Sequence, residues 1–287
     1  MKVFSWDIIS SCNFNCDYCN SVGGAQTVPA PVVPEVVRDA WQRLYVQYGS
    51  SYVYITGGEP FSYPGFTDVV IYMARLHRLH ITTNLSFPLD DFVTRADPKK
   101  ISLNATFHPL HISCDDFKDQ VLRLRNAGFE CSVCYLAHPR QLREMLSFKM
   151  YFAQFGIHMT TTQFSGTCGG KQFPSEYSSV EIELLARVTQ CPSEEMSEPS
   201  VMLSPVHDKH WFLPVQPRQS LVAEQLCNAG VTYANINVHG DVKRCGCSQS
   251  IPLGNIYLST LVLLTDAQPC TQALGCSEIK YTSSSYI

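Results

Sequence analysis

The chain has 287 residues, of which 45% are hydrophobic and 16% charged, and its formal net charge is -4. That length suffices for one large domain and a small one, and the charge balance lacks the clustered Lys and Arg that neutralise a phosphate backbone, so nucleic-acid binding is excluded. No apolar run reaches the roughly 20 residues that span a bilayer, and no basic stretch, apolar core and cleavage site open the N-terminus.

The first predicted element is a strand at 3–9. It runs directly into Cys12-Asn13-Phe14-Asn15-Cys16-Asp17-Tyr18-Cys19. Three thiolates on one short loop can each hold one iron of a [4Fe-4S] cluster, leaving the fourth iron open to bind something else. A zinc knuckle is the alternative, but it needs a fourth Cys or His nearby, and none occurs before His77. The 13 cysteines as a whole could be read as disulfides. Without a secretory signal the expected compartment is cytoplasmic, where thiols stay reduced, and clustering at the two ends of the chain favours metal ligation.

Further strands are expected at 52–56, 79–83, 100–106, 130–136 and 157–163, with helices near 33–48, 66–77, 114–127, 140–155 and 178–189. The stretch Asp115–Gly128 shows apolar residues at helical spacing and ends on a glycine suited to a C-cap. Six strand–helix units imply a parallel sheet in an α/β protein, and six do not close an eight-fold barrel. The expectation is an open, partial (β/α)6 barrel over residues 1–190. Residues 191–222 carry Pro192, Pro199, Pro205, Pro214 and Pro217 and no regular period, which reads as a connector. Residues 223–287 form a Cys-rich module.

Gly57-Gly58-Glu59-Pro60 ends the second strand. Two glycines let the backbone approach a ligand, and a glutamate with nearby carbonyls accepts hydrogen bonds from an ammonium group. Thr82-Thr83-Asn84 ends the third strand, and Ser102-Leu103-Asn104 lies in the fourth. Barrels of this kind place chemistry at the C-terminal ends of strands, which nominates Thr106, His108, His111, Tyr135, His138 and Gln163. His108 suits a base or a substrate hydrogen bond, because imidazole titrates near neutrality; a structural histidine is the alternative. Cys114, Cys131, Cys134 and Cys168 have no ligand spacing and read as inert thiols.

Near the C-terminus, Ile236–Cys245 reads as a β-hairpin turning at His239-Gly240-Asp241. It returns Cys245 beside the chain carrying Cys227, and Cys270 and Cys276 could complete a four-thiolate site. A zinc ribbon from the same thiols is the alternative.

The cysteine spacing, with Tyr18 before the third cysteine and Gly57-Gly58-Glu59-Pro60 downstream, resembles the radical S-adenosylmethionine (radical SAM) superfamily. The resemblance implies that S-adenosylmethionine chelates the open iron and is cleaved to a 5′-deoxyadenosyl radical that abstracts hydrogen from a C–H bond. It implies that Gly57, Gly58, Glu59 and Pro60 receive the methionine amino group, and that Asn84 and Ser102 contact ribose or carboxylate. The spacing from Cys227 through Gly240 to Cys245, and the run Leu253-Gly254-Asn255-Ile256, resemble the SPASM/Twitch extension that holds auxiliary clusters.

Five cysteines here fit a single auxiliary cluster, for a total of two [4Fe-4S] clusters per chain. Cys245 and Cys247 strain to share one cubane, so the expected ligands are Cys227, Cys245, Cys270 and Cys276. Cys247 is then free to donate a hydrogen atom. The alternative, in which Cys247 ligates and Cys270 or Cys276 is spare, remains open. The size and single auxiliary cluster resemble enzymes of aminoglycoside biosynthesis, so epimerisation of a small polar, sugar- or aminocyclitol-like substrate leads. Alternatives are dehydrogenation of a secondary alcohol, with His108 as base and the auxiliary cluster as electron acceptor, and peptide modification. A strand starting at residue 3 is expected to leave no room for a fused N-terminal peptide-recognition domain. An electron donor such as flavodoxin or ferredoxin is implied.

Overall fold

The computed structural model describes residues 1–16, 18–19, 30–190, 226–246 and 250–270. Residues 191–222, and with them the expected connector, lie outside the described residues.

Strands β1 (Lys2–Ile9), β2 (Ser51–Gly57), β3 (Arg78–Thr83), β4 (Ile101–Phe107), β5 (Glu130–Ala137) and β6 (Met159–Gln163) pair in sequence order, all in parallel. Parallel neighbours need a crossover. Helices α1 (Pro34–Tyr48), α2 (Phe66–Ala74), α3 (Asp90–Arg95), α4 (Cys114–Asn126) and α5 (Met145–Ala153) lie between successive strands, and α6 (Ser179–Gln190) follows β6. The result is the expected open partial barrel. Helix α3 has no counterpart in the sequence reading. It spans six residues with no capping side-chain hydrogen bond at its start, too short for a helical period to register. The helix expected over 140–155 opens as a 3-10 turn at Pro139–Glu144 before α5, with Pro139 at its first position. A small antiparallel hairpin, β7 (Gly166–Cys168) with β8 (Lys171–Phe173), turns on Gly169 and Gly170, both at positive φ. Gly-Gly between two strands is the signal for such a turn.

The two faces of the sheet differ chemically. Phe4 and Trp6, Val53 and Ile55, Leu79 and Ile81, and Leu103, Ala105 and Phe107 are buried in the main core. The intervening positions are mostly polar and half-buried: Ser5, Asp7, Thr56, His80, Thr82, Ser102, Asn104, Thr106 and Ser132. Strand alternation puts these on the other face. Parallel strands covered on both sides are near-continuous in apolar residues; here one face is left polar. Trp41 of α1 clamps the apolar side, its ring edge-on to Phe4 at 5.8 Å and Trp6 at 5.3 Å.

The hairpin expected near 236–245 is present as β10 (Tyr233–Ile236) and β11 (Asp241–Lys243), after a short β9 (Leu226–Cys227). Asn237 Oδ1 closes its turn by accepting from the amides of His239 and Asp241, each at 2.9 Å. β10 also pairs in parallel with β1, from Val3↔Tyr233 to Trp6↔Ile236, and β12 (Pro252–Asn255) adds to β11. The described sheet therefore has nine strands. A two-strand ladder of β9 with β13 (Gln268–Pro269) stands apart from it. Among the described residues no helix is long and apolar enough to cross a membrane.

Trp41 is fully buried on the β1 face. Trp41→Ala is expected to lower unfolding stability by about 3–5 kcal/mol, the range for deleting a buried large aromatic, measured by urea denaturation.

Candidate active site

The site begins where β1 ends. The amides of Gly58 and Glu59 donate to the carbonyls of Ile9 at 2.7 Å and Ser11 at 3.0 Å. This is backbone contact close enough to exclude side chains. A Cβ on Gly57, which sits at φ +127°, would lie 2.2 Å from the Ile9 carbonyl oxygen, and one on Gly58 would lie 1.9 Å from that of Ser11. Only glycine fits at either place. The two glycines thus hold the chain leading to Cys12 against the end of β2, a partner that the sequence pattern did not identify.

Glu59 is nearly fully buried. Its carboxylate accepts from the Asn84 amide at 2.7 Å, Thr83 Oγ1 at 2.8 Å and the Phe61 amide at 3.1 Å. The last bond caps the 3-10 turn that Pro60 begins. Burial raises the Glu59 pKa, and the three donors oppose that rise. From the same point Asn84 reaches across to the cysteine loop. Its Nδ2 donates to Asn13 Oδ1 at 3.1 Å and lies 3.8 Å from Cys12 Sγ, while its Oδ1 accepts from Ser86. Glu59 and Asn84 together link the ends of β1, β2 and β3.

Cys12, Cys16 and Cys19 are half-buried and line one cavity of about 340 Å³. Gly57, Gly58, Glu59, Asn84, His108 and the strand-end residues Thr56, Thr82 and Thr106 line it as well. Burial raises the Cys12 thiol pKa. The Cys19 amide donates to the Cys16 carbonyl at 3.1 Å, which tightens the loop. Tyr18 OH pairs with His108 Nδ1 at 2.9 Å, and Cys16 Sγ lies 3.7 Å from the same nitrogen. Phe14 stacks on His111 at 4.6 Å, and Tyr18 packs against His138 at 4.9 Å. Burial, with His111 adding to it, pushes the His108 pKa down to about 4, so its ring is neutral at pH 7.

Among the described residues no three His, Cys, Asp or Glu side chains close on one point as ligands of a single ion. Thiolates bound to different irons of one cubane stand farther apart than that. Three cysteine donors around one cavity, with no fourth on their loop, fit a cluster with an open iron. At the other end of the chain, Cys227, Cys245 and Cys270 all belong to one apolar cluster with Ala229, Tyr233 and Val3. Cys247 and Cys276 lie outside the described residues.

Other nominated residues go elsewhere. Ser102 lies near the start of β4, far along the strand from cavity-lining Thr106, and its Oγ pairs with His80 Nδ1 at 2.8 Å. Tyr135 is buried on the helix side and donates to the Gln141 carbonyl at 2.8 Å. His138 caps the turn at 139–144, and Gln163 is half-buried at the end of β6. Cys131 and Cys134 are buried thiols whose pKa burial raises, that of Cys131 to about 12, and Cys114 and Cys168 are half-buried. One residue escaped the sequence reading. Asp7 pairs in register with Thr56 and so shares the polar face. Burial raises its pKa, and among the described residues no hydrogen bond offsets that. A lone acid in alternation with Phe4, Trp6 and Ile8 was the available signal.

The profile of the Radical SAM superfamily matches residues 6–147. No curated protein matches the chain significantly. Solved structures share its fold. SuiB of Streptococcus suis bound to S-adenosylmethionine superposes with a TM-score of 0.57 at 15% identity, covering 99% of this chain and 66% of SuiB. SuiB bound to precursor peptide SuiA gives 0.57 at 15% identity, over 90% of this chain and 63% of SuiB. Native anSMEcpe with AdoMet and Kp18Cys peptide gives 0.58 at 12% identity, over 90% and 79%. The chain thus spans just under two thirds of SuiB.

Two outcomes follow. Asn84→Ala is expected to weaken iron retention at the cysteine loop by about 10- to 100-fold, as for other residues that orient metal ligands, measured by chelator titration. A raised Asp7 pKa favours the folded state only while the group is protonated. That contribution is complete below the unfolded-state value near 4 and is lost as pH rises through the folded-state value. Asp7→Asn, neutral throughout, is expected to need more urea to unfold than the parent at about pH 7, with the gap closing toward about pH 4.

Proposed function

Because residues 6–147 belong to the radical SAM superfamily, we propose that the chain is an enzyme that holds a [4Fe-4S] cluster on Cys12, Cys16 and Cys19 and binds S-adenosylmethionine in the adjoining cavity. Its target is a C–H bond of a polar substrate lying against the polar face of the sheet. One observation carries this reading: the three cysteines, the Gly57-Gly58-Glu59 turn and Asn84 line the same cavity of about 340 Å³. Together, the cluster and S-adenosylmethionine supply an electron and a carbon radical able to take hydrogen from an unactivated position.

The chain's own residues supply geometry. Gly57 and Gly58 seat the cysteine loop on β2, and the backbone there is positioned to meet the methionine amino group. Glu59 accepts from Thr83, Phe61 and Asn84 and so fixes those strand ends, while its Oε2, which among the described residues takes only the Asn84 amide, keeps acceptor capacity toward the cavity it lines. Asn84 orients Cys12. His108, neutral and engaged by Tyr18 and Cys16, orients the loop from the other side. This engagement, with its lowered pKa, weakens the reading of His108 as the base of an alcohol dehydrogenation. Ser102, proposed for a ribose or carboxylate contact, is not among the residues lining this cavity and pairs with His80, which lends that role no support.

For the fate of the substrate radical, the lead remains inversion at one carbon of a small sugar- or aminocyclitol-like molecule, with Cys247 returning a hydrogen atom. The auxiliary cluster on Cys227, Cys245, Cys270 and Cys276, and an electron donor such as flavodoxin or ferredoxin, complete this proposal. Peptide modification is the second reading. It is favoured by the peptides named in the SuiB and anSMEcpe structures.

Incubation of the reduced enzyme with S-adenosylmethionine and panels of aminocyclitols and short peptides in deuterated water separates the readings. Deuterium at the inverted carbon, lost in Cys247→Ala with iron content intact, is expected for epimerisation. An unlabelled carbonyl product overturns it, and a modified peptide moves the assignment to the second reading. Failure to form 5′-deoxyadenosine under any reducing condition overturns the whole proposal.

A further inference from the structure

Arg244 is a cation in an unusual place. It is only 4% exposed. Its guanidinium donates to the carbonyls of Ala229 at 2.8 Å, Pro269 at 2.9 Å, Cys227 at 3.0 Å and Gln268 at 2.5 Å. Every acceptor is a neutral backbone oxygen, and among the described residues no carboxylate pairs with it. A guanidinium does not shed its proton inside a protein. A buried charge without a counter-charge is costly even when well hydrogen-bonded. The fold nonetheless packs tightly around the side chain, and a Cβ on Gly230 would lie 3.0 Å from Arg244 Cγ.

The acceptors explain where the missing charge belongs. One is the carbonyl of Cys227 itself. Another, on Pro269, belongs to the peptide that joins Pro269 to Cys270. Arg244 immediately precedes Cys245. The β9–β13 ladder sets Cys227 opposite Gln268, and the guanidinium bridges both strands. A single side chain thus braces the backbone at three cysteines that share one apolar cluster. As neutral thiols they leave the cation unbalanced, and as thiolates on a metal cluster they supply negative charge.

We infer that Arg244 is a positioning residue for an anionic iron–sulfur cluster held by Cys227, Cys245 and Cys270, setting the spacing of the three ligands and serving as their buried counter-cation. This rests on the auxiliary-cluster reading above. A fixed cation stabilises the more negative, reduced form of a cluster, and net charge and hydrogen bonding are among the terms that set cluster potentials. Arg244 therefore raises the potential of the auxiliary cluster.

The test uses the full chain with Cys12, Cys16 and Cys19 all changed to Ala, so that only an auxiliary cluster remains, reconstituted anaerobically. Iron and sulfide are counted, and the midpoint potential is followed by electron paramagnetic resonance. Arg244→Gln in this background is expected to shift the potential negative and to release iron at chelator concentrations about 10- to 100-fold lower. Unchanged potential and retention overturn the inference. Arg244→Lys keeps the charge but offers three donors to four carbonyls. It is expected to hold its potential near the parent's while releasing iron more readily, and retention equal to the parent's overturns the positioning role even if the Gln variant does not fold. Absence of iron and sulfide in the Arg244 parent removes the auxiliary cluster and this inference with it, while leaving the cysteine-loop site untouched.

Discussion

The carboxylate of Glu59 ties the site together. It lies beneath the ends of three parallel strands and accepts one hydrogen bond from the turn after β2 and two from the end of β3. A buried carboxylate with that many donors has few alternative arrangements, since moving it would leave several buried N–H and O–H groups unpaired. Its position fixes Asn84, and Asn84 contacts the cysteine loop. Gly57 and Gly58 complete the constraint from the other side by letting the backbone of β1 and that of β2 meet without side chains between them. The loop that holds the three cysteines therefore rests on a polar knot.

That knot works because the sheet segregates its chemistry. The helix-facing side is aliphatic and aromatic and carries the hydrophobic stabilisation. The opposite side is left with Ser, Thr, Asn, His and Asp side chains that are only half covered. Such a face stabilises the fold little by burial, and its polar groups are available to a polar molecule that enters between the strands. Asp7, whose pKa burial raises, lies on this face opposite Thr56.

Charge is placed with equal economy around the cysteines. His108 is kept neutral by burial beside Tyr18 and Cys16. Arg244 is a cation whose hydrogen bonds, among the described residues, all go to backbone carbonyls. Both side chains touch the chain beside cysteines rather than solvent. The parallel pairing of β10 with β1 sets the hairpin that leads to Cys245 on the same sheet as the strand that leads to Cys12.

The order of strands and helices was legible from periodicity because β1, β3 and β4 alternate, β2 is a short continuous apolar run, and most helices carry an apolar stripe. Short or glycine-turned elements such as α3 and the β7–β8 hairpin were not, since too few residues repeat within them. The cysteine loop and the Gly-Gly-Glu turn were legible because ligand spacing and glycine pairs are local in sequence. The place of Ser102, paired with His80 and outside the cavity lining, was not legible because a motif names a strand but does not say how far along it a side chain sits. By itself the sequence determined the α/β strand–helix order and the spacing of the cysteines on their loop. Only the tertiary structure decided that Glu59 and Asn84 join three strand ends, that the C-terminal hairpin continues the main sheet, and that Arg244 braces three cysteines. Those are long-range contacts, formed when strands distant in sequence pair, and no local pattern records them.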